Sequence, residues 1–189
     1  IGSGLVGSEM CIRDRPLAAG ENEEREKAWI MAGTLDIIIR EMVPEDYDAV
    51  YQLWTGIQGF GIRSLDDSRE GVERFLRRNP TTSVVAVQNG QIIGDILCGH
   101  DGRTGYFYHV CVAERYRKHG IGYRMVHACM KALKEEGINK ISLIAFKSNA
   151  VGNAFWQGLG WNSRDDVNFY DIVLNEENVT RFVEKTRRK

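Results

Sequence analysis

The sequence lacks a surplus of charge of either sign. Its 189 residues include 25 lysines and arginines and 26 aspartates and glutamates, which gives a formal net charge of -1 at pH 7. Proteins that bind nucleic acid or anionic membranes usually carry a marked basic surplus or a basic patch. The balance therefore argues against nucleic acid and membrane as partners and favours a small-molecule or peptide substrate.

Long hydrophobic segments are also lacking. No apolar run approaches the roughly 20 residues of a membrane-spanning helix, and the N-terminus has no basic segment that leads into an apolar one. We therefore expect a soluble, cytoplasmic protein. A chain of this length can bury one core but not comfortably two, so we also expect a single domain.

Paired cysteine motifs are absent as well. Cys11, Cys98, Cys111 and Cys129 form no Cys-x-x-Cys pair, and the last three lie within apolar stretches. Zinc sites and disulfide frameworks usually show closely paired cysteines. The pattern instead predicts buried thiols in a reducing compartment, and we expect no metal.

The first 30 residues differ from the rest of the chain. Residues 1–30 are glycine-rich at first and then charged, and residues 1–20 show neither helical nor strand periodicity. Residues 10–15, Met-Cys-Ile-Arg-Asp-Arg, resemble one reading frame of a transposase adapter used to prepare sequencing libraries. We therefore expect residues 1–30 to be a disordered or non-native leader. Met31 is the expected natural start, because the purine-rich codons of residues 23–27 would suit a bacterial ribosome-binding site.

Hydrophobic periodicity and turn residues divide the expected domain, residues 31–175, into strands and helices. Asn89-Gly90 is a strong hairpin signal between two short apolar runs. A helix should open at Pro44, and Ser68 with the two aspartates before it should cap another. The predicted strands are residues 35–40, 83–88, 91–98, 106–112, 141–146 and 168–174. Residues 56–65 are predicted as a loop, residues 69–78 as a helix, and residues 176–189 as a short basic C-terminal helix or tail.

The most informative stretch runs from Tyr106 to Trp161 and reads strand, glycine loop, helix, strand and helix. Residues 106–112 are aromatic and β-branched, which is typical of a strand. After the loop, apolar residues recur at spacings of three and four, and Gly137 supplies a helix stop. Because a helix-length connection favours parallel pairing, the strands before and after this helix should lie parallel.

The glycine loop, Arg117–Gly122, has the features of an anion site. Two glycines between a strand and a helix let the backbone approach a ligand, and the first N–H groups of a helix attract an anion. Arg117, Lys118 and His119 add positive charge, which suits a diphosphate. A tight structural turn with solvated charges is the alternative. Nucleotide binding is disfavoured, because no Gly-Lys-Ser/Thr motif or suitably spaced ribose-binding acidic residue follows.

Three elements of this stretch, taken in order, resemble the acyl-CoA site of the GNAT superfamily of N-acyltransferases. They are an Arg/Gln-x-x-Gly-x-Gly/Ala loop, a downstream asparagine, and an aromatic pair followed by Gly-aromatic, here within residues 117–122 and 148–161. The resemblance covers residues 35–174. It implies an α/β fold of one domain, with a mixed, twisted β-sheet flanked by helices on both faces.

The same resemblance implies an activity and a cosubstrate. It implies transfer of the acetyl group of acetyl-CoA to a primary amine of a small molecule, peptide or protein. A catalytically weak acyl-CoA-binding sensor or regulatory module is the alternative, and a homodimer is compatible with either. By resemblance, the cofactor-binding residues are Val110, Cys111, Val112, Arg117, Lys118, His119, Gly120, Ile121, Gly122, Asn149, Asn153 and Trp156.

The expected proton-transfer groups depart from the better-known members of that family. The carboxylate that some members carry early in the strand falls at Tyr106, and the one that others carry on the next strand falls near Ile144. Tyr108, His109 or a relayed water remain candidates for the base. In a regular strand Tyr106 and Tyr108 share one face and His109 lies on the other, unless a bulge changes the phase. We take Tyr108 and His109 as the expected catalytic residues.

The expected acid is also altered, because Trp156 stands where many relatives have a tyrosine that protonates the leaving thiolate. An indole cannot serve as that acid, so we expect Trp156 to pack against cofactor or core. A backbone N–H within residues 110–112 is the oxyanion donor that the resemblance implies.

Candidate acceptor-binding residues lie before and within the central strands. In the resembling family the segment after the first helix walls the acceptor pocket, so Arg63, Asp66 and Asp67 are substrate-binding candidates. Tyr106, on the central strand, is a further candidate. A solvated loop and helix cap is the alternative for the first three. His100 and Asp101 are a further candidate pair, although turn chemistry explains them equally well.

Overall fold

The computed structural model describes residues 36–184, so the expected leader and the start at Met31 lie outside the described residues. The chain divides into two compact units. Of the described residues, one unit holds 36–144 together with 170–184, and the other holds 145–169.

The larger unit contains seven strands and three α-helices among its described residues. The strands are β1 (Ile37–Glu41), β2 (Gly61–Arg63), β3 (Val84–Gln88), β4 (Gln91–His100), β5 (Gly105–Val112), β6 (Ile141–Leu143) and β7 (Thr180–Phe182). The helices are α1 (Tyr47–Thr55), α2 (Arg69–Arg78) and α3 (Ile121–Glu135). Single 3₁₀ turns at Pro44–Asp46 and Glu114–Tyr116 precede α1 and the glycine loop. The smaller unit contains α4 (Ala150–Gly158).

Five strands form one mixed sheet in the order β1-β3-β4-β5-β6. The first three pairings are antiparallel, and β5 and β6 are parallel, with Gly105 opposite Ile141 and Phe107 opposite Leu143. The mixed sheet and the parallel last strand are as predicted. The crossover between β5 and β6 contains α3, whose length permits the parallel arrangement.

The hairpin between β3 and β4 follows from its turn residues. Asn89 and Gly90 have φ angles of 48° and 75°, the left-handed region that a type I′ turn requires at both positions. Asparagine and glycine adopt this region most readily. The prediction of a hairpin at this dipeptide is confirmed.

Helices cover the sheet on both faces. On β4, a side chain at Gly94 would meet Met125 of α3, whereas the next residue, Asp95, bonds Trp54 of α1. Because consecutive strand residues point to opposite faces, α1 and α3 lie on opposite sides of the sheet. α2 shares the side of α1, since Val72 belongs to the same core cluster as Trp54.

The long helix α3 buries the apolar stripe that its sequence predicts. Met125, Val126, Cys129 and Leu133 are at most marginally exposed, and Gly137 stops the helix at a φ of 78°. Arg124 donates from its guanidinium to the carbonyl oxygen of Ile37 at 2.8 Å, which ties the helix to β1. Burial of one face thus fixes the helix, and with it the loop at its N-terminus.

The predictions for the end of the chain are partly wrong. β6 ends at Leu143 rather than at residue 146, and residues 168–174 are not a strand. Ile172 and Leu174 are 82% and 93% exposed. An apolar, β-branched sequence favours a strand only where a neighbouring strand supplies hydrogen bonds, and residues 170–174 have no ladder partner among the described residues of their unit.

A second, two-stranded sheet was also missed. The segment predicted as a loop at 56–65 contains β2, and the segment predicted as a C-terminal helix or tail contains β7, which pairs antiparallel with β2. Leu65 donates its backbone N–H to the Asn178 side-chain oxygen at 3.1 Å, which extends the contact beyond the ladder. The C-terminal segment therefore braces the loop that precedes α2.

Candidate functional site

Strand β5 contains a bulge at Tyr108. Leu97 of β4 lies opposite His109, whereas the next residue, Cys98, lies opposite Phe107. Tyr108 is thus the extra residue of the bulge. Directly opposed residues share a face and consecutive residues alternate. His109 therefore lies on the face of Leu97, towards α1 and α2, and Phe107 lies on the other face.

The imidazole of His109 is held on several sides. Its ring centroid lies 4.6 Å from that of Trp54 and 4.8 Å from that of Phe60. Its Nε2 lies 2.8 Å from Oδ1 of Asp67, and the His109 side chain is only 15% exposed. Aromatic packing and one carboxylate thus fix the orientation of the ring.

Asp67 is buried, at 4% exposure, in the turn that leads into α2. Its Oδ2 accepts the backbone N–H of Arg63 at 2.7 Å, and its carbonyl oxygen accepts the hydroxyl of Tyr47 at 2.9 Å. The next residue, Ser68, caps α2 by accepting the N–H of Gly71 at 3.1 Å, as predicted. The sequence placed Asp67 among the acceptor-binding candidates, whereas its side chain faces His109.

The two tyrosines of β5 form an aromatic surface on the same face of the sheet. The ring of Tyr108 lies 4.9 Å from that of Tyr106 and 5.3 Å from that of Phe75 on α2. Desolvation raises the pKa of both tyrosines above the usual value, and the positive charge of Arg63 partly offsets the rise. Tyr108 is nevertheless 53% exposed. Both hydroxyls therefore stay protonated at neutral pH, which weakens the case for Tyr108 as a base.

The outer edge of β5 is unpaired after Phe107, where the described ladder with β6 ends. Ala113 donates its N–H to Ile93 on the inner side, at 2.8 Å. Because successive residues of a strand alternate in direction, the N–H groups of Val110 and Val112 point to the outer side. No strand in the described part of the chain pairs with them there. These are the two candidate oxyanion donors within residues 110–112.

The glycine loop lies between the end of β5 and the N-terminus of α3. Lys118 and Gly120 have φ angles of 65° and 73°, so the chain turns through the left-handed region twice within three residues. Arg117 donates from Nε to the carbonyl oxygen of Val112 at 3.0 Å, which ties the loop to the strand. The first N–H groups of α3, those of Ile121 and its neighbours, have no acceptor within the helix. An anion at this position would accept hydrogen bonds from these N–H groups.

The smaller unit contains the downstream asparagines and the aromatic pair. Asn149 caps α4 by accepting the N–H of Gly152 at 2.9 Å, and Asn153 donates to the carbonyl oxygen of Phe146 at 2.9 Å. The ring of Trp156 lies 4.9 Å from those of Phe155 and Trp161. These side chains shape α4 and the turn before it.

Two further candidates have structural partners. Asp66 accepts the side-chain amide of Asn178 at 2.7 Å, and the guanidinium of Arg63 lies 3.6 Å from the Asp66 carboxylate. Both side chains are about half exposed, at the rim of the loop before α2. The pair can meet a ligand from solvent, unlike Asp67.

His100 and Asp101 do not face each other. His100 Nε2 lies 2.7 Å from a carboxylate oxygen of Glu136, whereas Asp101 accepts the backbone N–H groups of Arg103 and Thr104, each at 2.8 Å. Those N–H groups lower the pKa of Asp101, which is fully exposed. These contacts are those of a turn, which is the alternative that the sequence left open for His100 and Asp101.

A buried carboxylate that the sequence did not single out lies next to the site. Asp95 on β4 has no exposed surface and accepts Trp54 Nε1 at 3.0 Å and the thiol of Cys111 at 2.6 Å. Burial raises its pKa to about 6, although the hydrogen bond from Cys111, the charge of His109 and the bond from Trp54 oppose that rise. A charged residue inside an apolar strand was the available signal.

The described residues contain no group of three or more histidine, cysteine or acidic side chains arranged to hold a metal ion. None of the helices within 36–184 has the length and apolar character needed to cross a lipid bilayer. Cys98, Cys111 and Cys129 are buried free thiols.

Comparison with known proteins identifies the family that the sequence resembles. Residues 47–161 match the family model of the acetyltransferase (GNAT) family. An acetyltransferase of Pectobacterium atrosepticum is 29% identical over 127 residues, which are 67% of this chain and 89% of that protein.

Two solved structures share the fold. The PaiA N-acetyltransferase of Thermoplasma acidophilum, solved in complex with coenzyme A, has a TM-score of 0.61 at 18% identity, covering 70% of this chain and 94% of that one. The aminoglycoside N-acetyltransferase AAC(6')-Iy, also solved with CoA, has a TM-score of 0.58 at 17% identity, covering 74% and 97%.

Proposed function

The chain belongs to the acetyltransferase (GNAT) family, and on that premise we propose that it transfers the acetyl group of acetyl-CoA to a primary amine, with His109 as general base. One observation carries the assignment of the base. His109 is a partly buried imidazole whose orientation is fixed by Asp67, and the next residue along β5 has its N–H on the unpaired edge. A base and an oxyanion donor thus adjoin on one strand.

The glycine loop has the chemistry that coenzyme A requires. A diphosphate needs several N–H donors and positive charge, and the loop supplies the N-terminus of α3 beside Arg117, Lys118 and His119. Gly120 has no side chain to cover the backbone of the loop, and its φ of 73° is one that glycine adopts without strain. These residues, together with Ile121 and Gly122, would hold the diphosphate, and the bound cosubstrate supplies the activated acetyl thioester.

The chain's own groups would perform three tasks. The first is deprotonation of the amine: a lysine-like amine with a pKa of about 10.4 pays about 4.6 kcal/mol to lose its proton at pH 7. His109 would take that proton, directly or through a water. The second is stabilisation of the developing oxyanion by the N–H of Val110 or Val112. The third is exclusion of water by the rings of Trp54 and Phe60 around the imidazole.

The acceptor would lie on the face of the sheet that carries α1 and α2. Tyr106 and Tyr108 offer an aromatic surface that favours a protonated amine before it loses its proton. Arg63 and Asp66 at the rim would then select among acceptors by charge. The similarity to an aminoglycoside acetyltransferase makes aminoglycosides one class to test, together with polyamines and peptide amines.

We also propose a cytoplasmic location, which the three buried free thiols of the described residues support because thiols stay reduced in that compartment. Homodimer formation stays a prediction, to be checked by light scattering.

A panel assay tests the proposed function. The 189-residue chain is incubated with acetyl-CoA and an aminoglycoside, spermidine or peptides with a free N-terminus or lysine, and products are detected by mass. We expect one class to gain an acetyl group in step with release of the CoA thiol. Binding of acetyl-CoA with no acetylated amine and no hydrolysis would contradict the proposal and indicate a binding module instead.

A further inference from the structure

The contact between Asp67 and His109 fixes more than the position of the ring. Asp67 Oδ2 accepts the N–H of Arg63 at 2.7 Å, and Oδ1 lies 2.8 Å from His109 Nε2. A backbone N–H can only donate, so the atom that faces Arg63 must be an acceptor. Asp67 therefore cannot turn its carboxylate away from His109 without breaking its hydrogen bond to the backbone N–H of Arg63.

The proton on the imidazole follows from this arrangement. An ionised carboxylate can only accept, so the nitrogen that faces Asp67 must carry a hydrogen. In a neutral imidazole the other nitrogen, Nδ1 of His109, then holds the lone pair. No residue in the described part of the chain hydrogen-bonds to that atom.

We propose that Asp67 is a positioning residue that holds His109 in the tautomer with Nε2 protonated, which makes Nδ1 the atom that takes the proton from the acceptor amine. This inference rests on the proposed function, because it specifies the atom and the partner of the proposed base. The proton passes from the amine to Nδ1 and later to water, while the Nε2–H to Asp67 bond persists.

The surrounding charges support this role. The carboxyl groups around His109 are those of Asp67 and Asp95. Asp67 lies in the turn before α2 and contacts the imidazole directly. Asp95, on β4, accepts hydrogen bonds from Trp54 and from the thiol of Cys111. Trp54 contacts both His109 and Asp95. A positive charge that forms on His109 during proton transfer would therefore meet an acceptor at Nε2 and a second carboxyl group nearby.

Asp67→Asn tests the inference, because the backbone N–H of Arg63 fixes the orientation of the new side-chain amide. The oxygen of the amide must face Arg63, so the NH₂ group faces His109 and forces Nε2 to accept. The proton then moves to Nδ1, and the base is blocked without any loss of volume. We expect kcat/KM to fall by roughly 10²–10⁴, the usual contribution of a general base, while acetyl-CoA affinity changes less than about twofold.

The tautomer of His109 distinguishes a positioning role of Asp67 from a merely structural one, because a structural role would leave the tautomer unchanged. ¹⁵N NMR of the 189-residue chain, with His109 assigned by loss of its signals in His109→Gln, should show Nε2 protonated in the wild type and Nδ1 protonated in Asp67→Asn. Asp48→Asn is the matched control, since Asp48 is exposed on α1 and pairs with Arg69. It should keep both the tautomer and the rate.

Kinetics of the double variant complete the test. If Asp67 acts only through His109, Asp67→Asn should cost little more in a His109→Gln background. The proposal is wrong if the wild type has Nδ1 protonated, or if Asp67→Asn keeps the wild-type tautomer and a kcat/KM within about threefold. The wild-type spectrum decides even if the variant fails to fold. The tautomer is measured without turnover, so the absence of acetyl transfer would refute the proposed function and the role of Nδ1 in it, but not the control of the His109 tautomer by Asp67.

Discussion

The indole Nε1 of Trp54 donates to both carboxylate oxygens of Asp95, at 3.0 and 3.1 Å, across 41 residues of sequence. The same indole packs on the imidazole of His109 with ring centroids 4.6 Å apart. Trp54 therefore connects a buried carboxyl group on β4 with the candidate base on β5. The carboxyl group has no lysine or arginine among its hydrogen-bond partners within the described residues, which makes its ionised form costly.

Asp95 should make the protein less stable as pH rises. Its pKa is raised to about 6 in the folded state, mainly by burial, against about 3.9 in an unfolded chain. The folded state therefore holds the proton more tightly. The associated stability is fully present below about pH 4 and is lost as pH rises through about 6. The full effect is about 3 kcal/mol.

Urea unfolding of the wild type and Asp95→Asn at pH 4.5 and 7.5 measures this contribution. The stability advantage of the wild type should be smaller at pH 7.5 than at pH 4.5. Asp48→Asn, an exposed and otherwise similar change, should show no such trend. An advantage that grows with pH would mean that the folded protein prefers Asp95 ionised.

Asp46 should show the opposite sign. Burial by itself would raise its pKa, but the bidentate contact with Arg40, at 2.7 Å for each bond, and the N–H of Val43 lower it overall. Its stabilisation is therefore present above the unfolded pKa of about 3.9 and is lost as pH falls through the lower folded value. Asp46→Asn should cost about 2 kcal/mol at pH 7, since hydrogen bonds to a charged group are lost.

Denaturant titration at pH 7 and at pH 3 checks this effect. The difference in stability between the two proteins should be smaller at the lower pH, because the carboxyl group of Asp46 takes up a proton in the unfolded wild type there. Glu45→Gln, one residue earlier and exposed, is the control and should change stability little. A cost that stays constant between the two pH values would rule out ionisation of Asp46 as its source.

Gly120→Val should abolish binding of acetyl-CoA. The φ of Gly120 is 73°, a region that a β-branched residue enters only with strain, and the new side chain would cover the N–H groups of the loop. Gly137→Val introduces the same backbone strain, at a φ of 78°, at the other end of α3. Calorimetry should show binding in the Gly137 variant only. Unchanged affinity in a folded Gly120→Val protein would refute the diphosphate site.

The pH dependence of kcat/KM should distinguish the two candidate bases. Histidines usually titrate near neutral pH and tyrosines near pH 10, and desolvation raises the pKa of Tyr108 further. His109→Gln should therefore remove a rise in rate through the neutral region, whereas Tyr108→Phe should retain it. The ionisation of the acceptor amine is measured separately and subtracted. If the rise in kcat/KM through neutral pH persists in His109→Gln and is lost in Tyr108→Phe, Tyr108 and not His109 is the base.

Several elements could be predicted because their signals are local. The bounds of α2 were predicted as found, since Ser68 caps its start and charged residues mark its solvent side. The Asn89-Gly90 hairpin and the buried stripe of α3 each depend on a few neighbouring residues. Other elements were missed because their partners are distant. β2 pairs with β7 more than a hundred residues away. Residues 168–174 have the composition of a strand but no ladder partner within the part of the chain that the structure describes.

The sequence by itself determined the family, the glycine loop and a short choice of candidate bases, because these follow from residue types at fixed spacing along one continuous stretch. Only the tertiary structure brings one of these candidates, His109, next to a carboxylate. A one-residue bulge at Tyr108 turns His109 to the face where Asp67 lies, although 42 residues separate the two in the chain. A bulge is a property of the register between two strands, and a carboxylate becomes the partner of an imidazole only when folding brings the two side chains together.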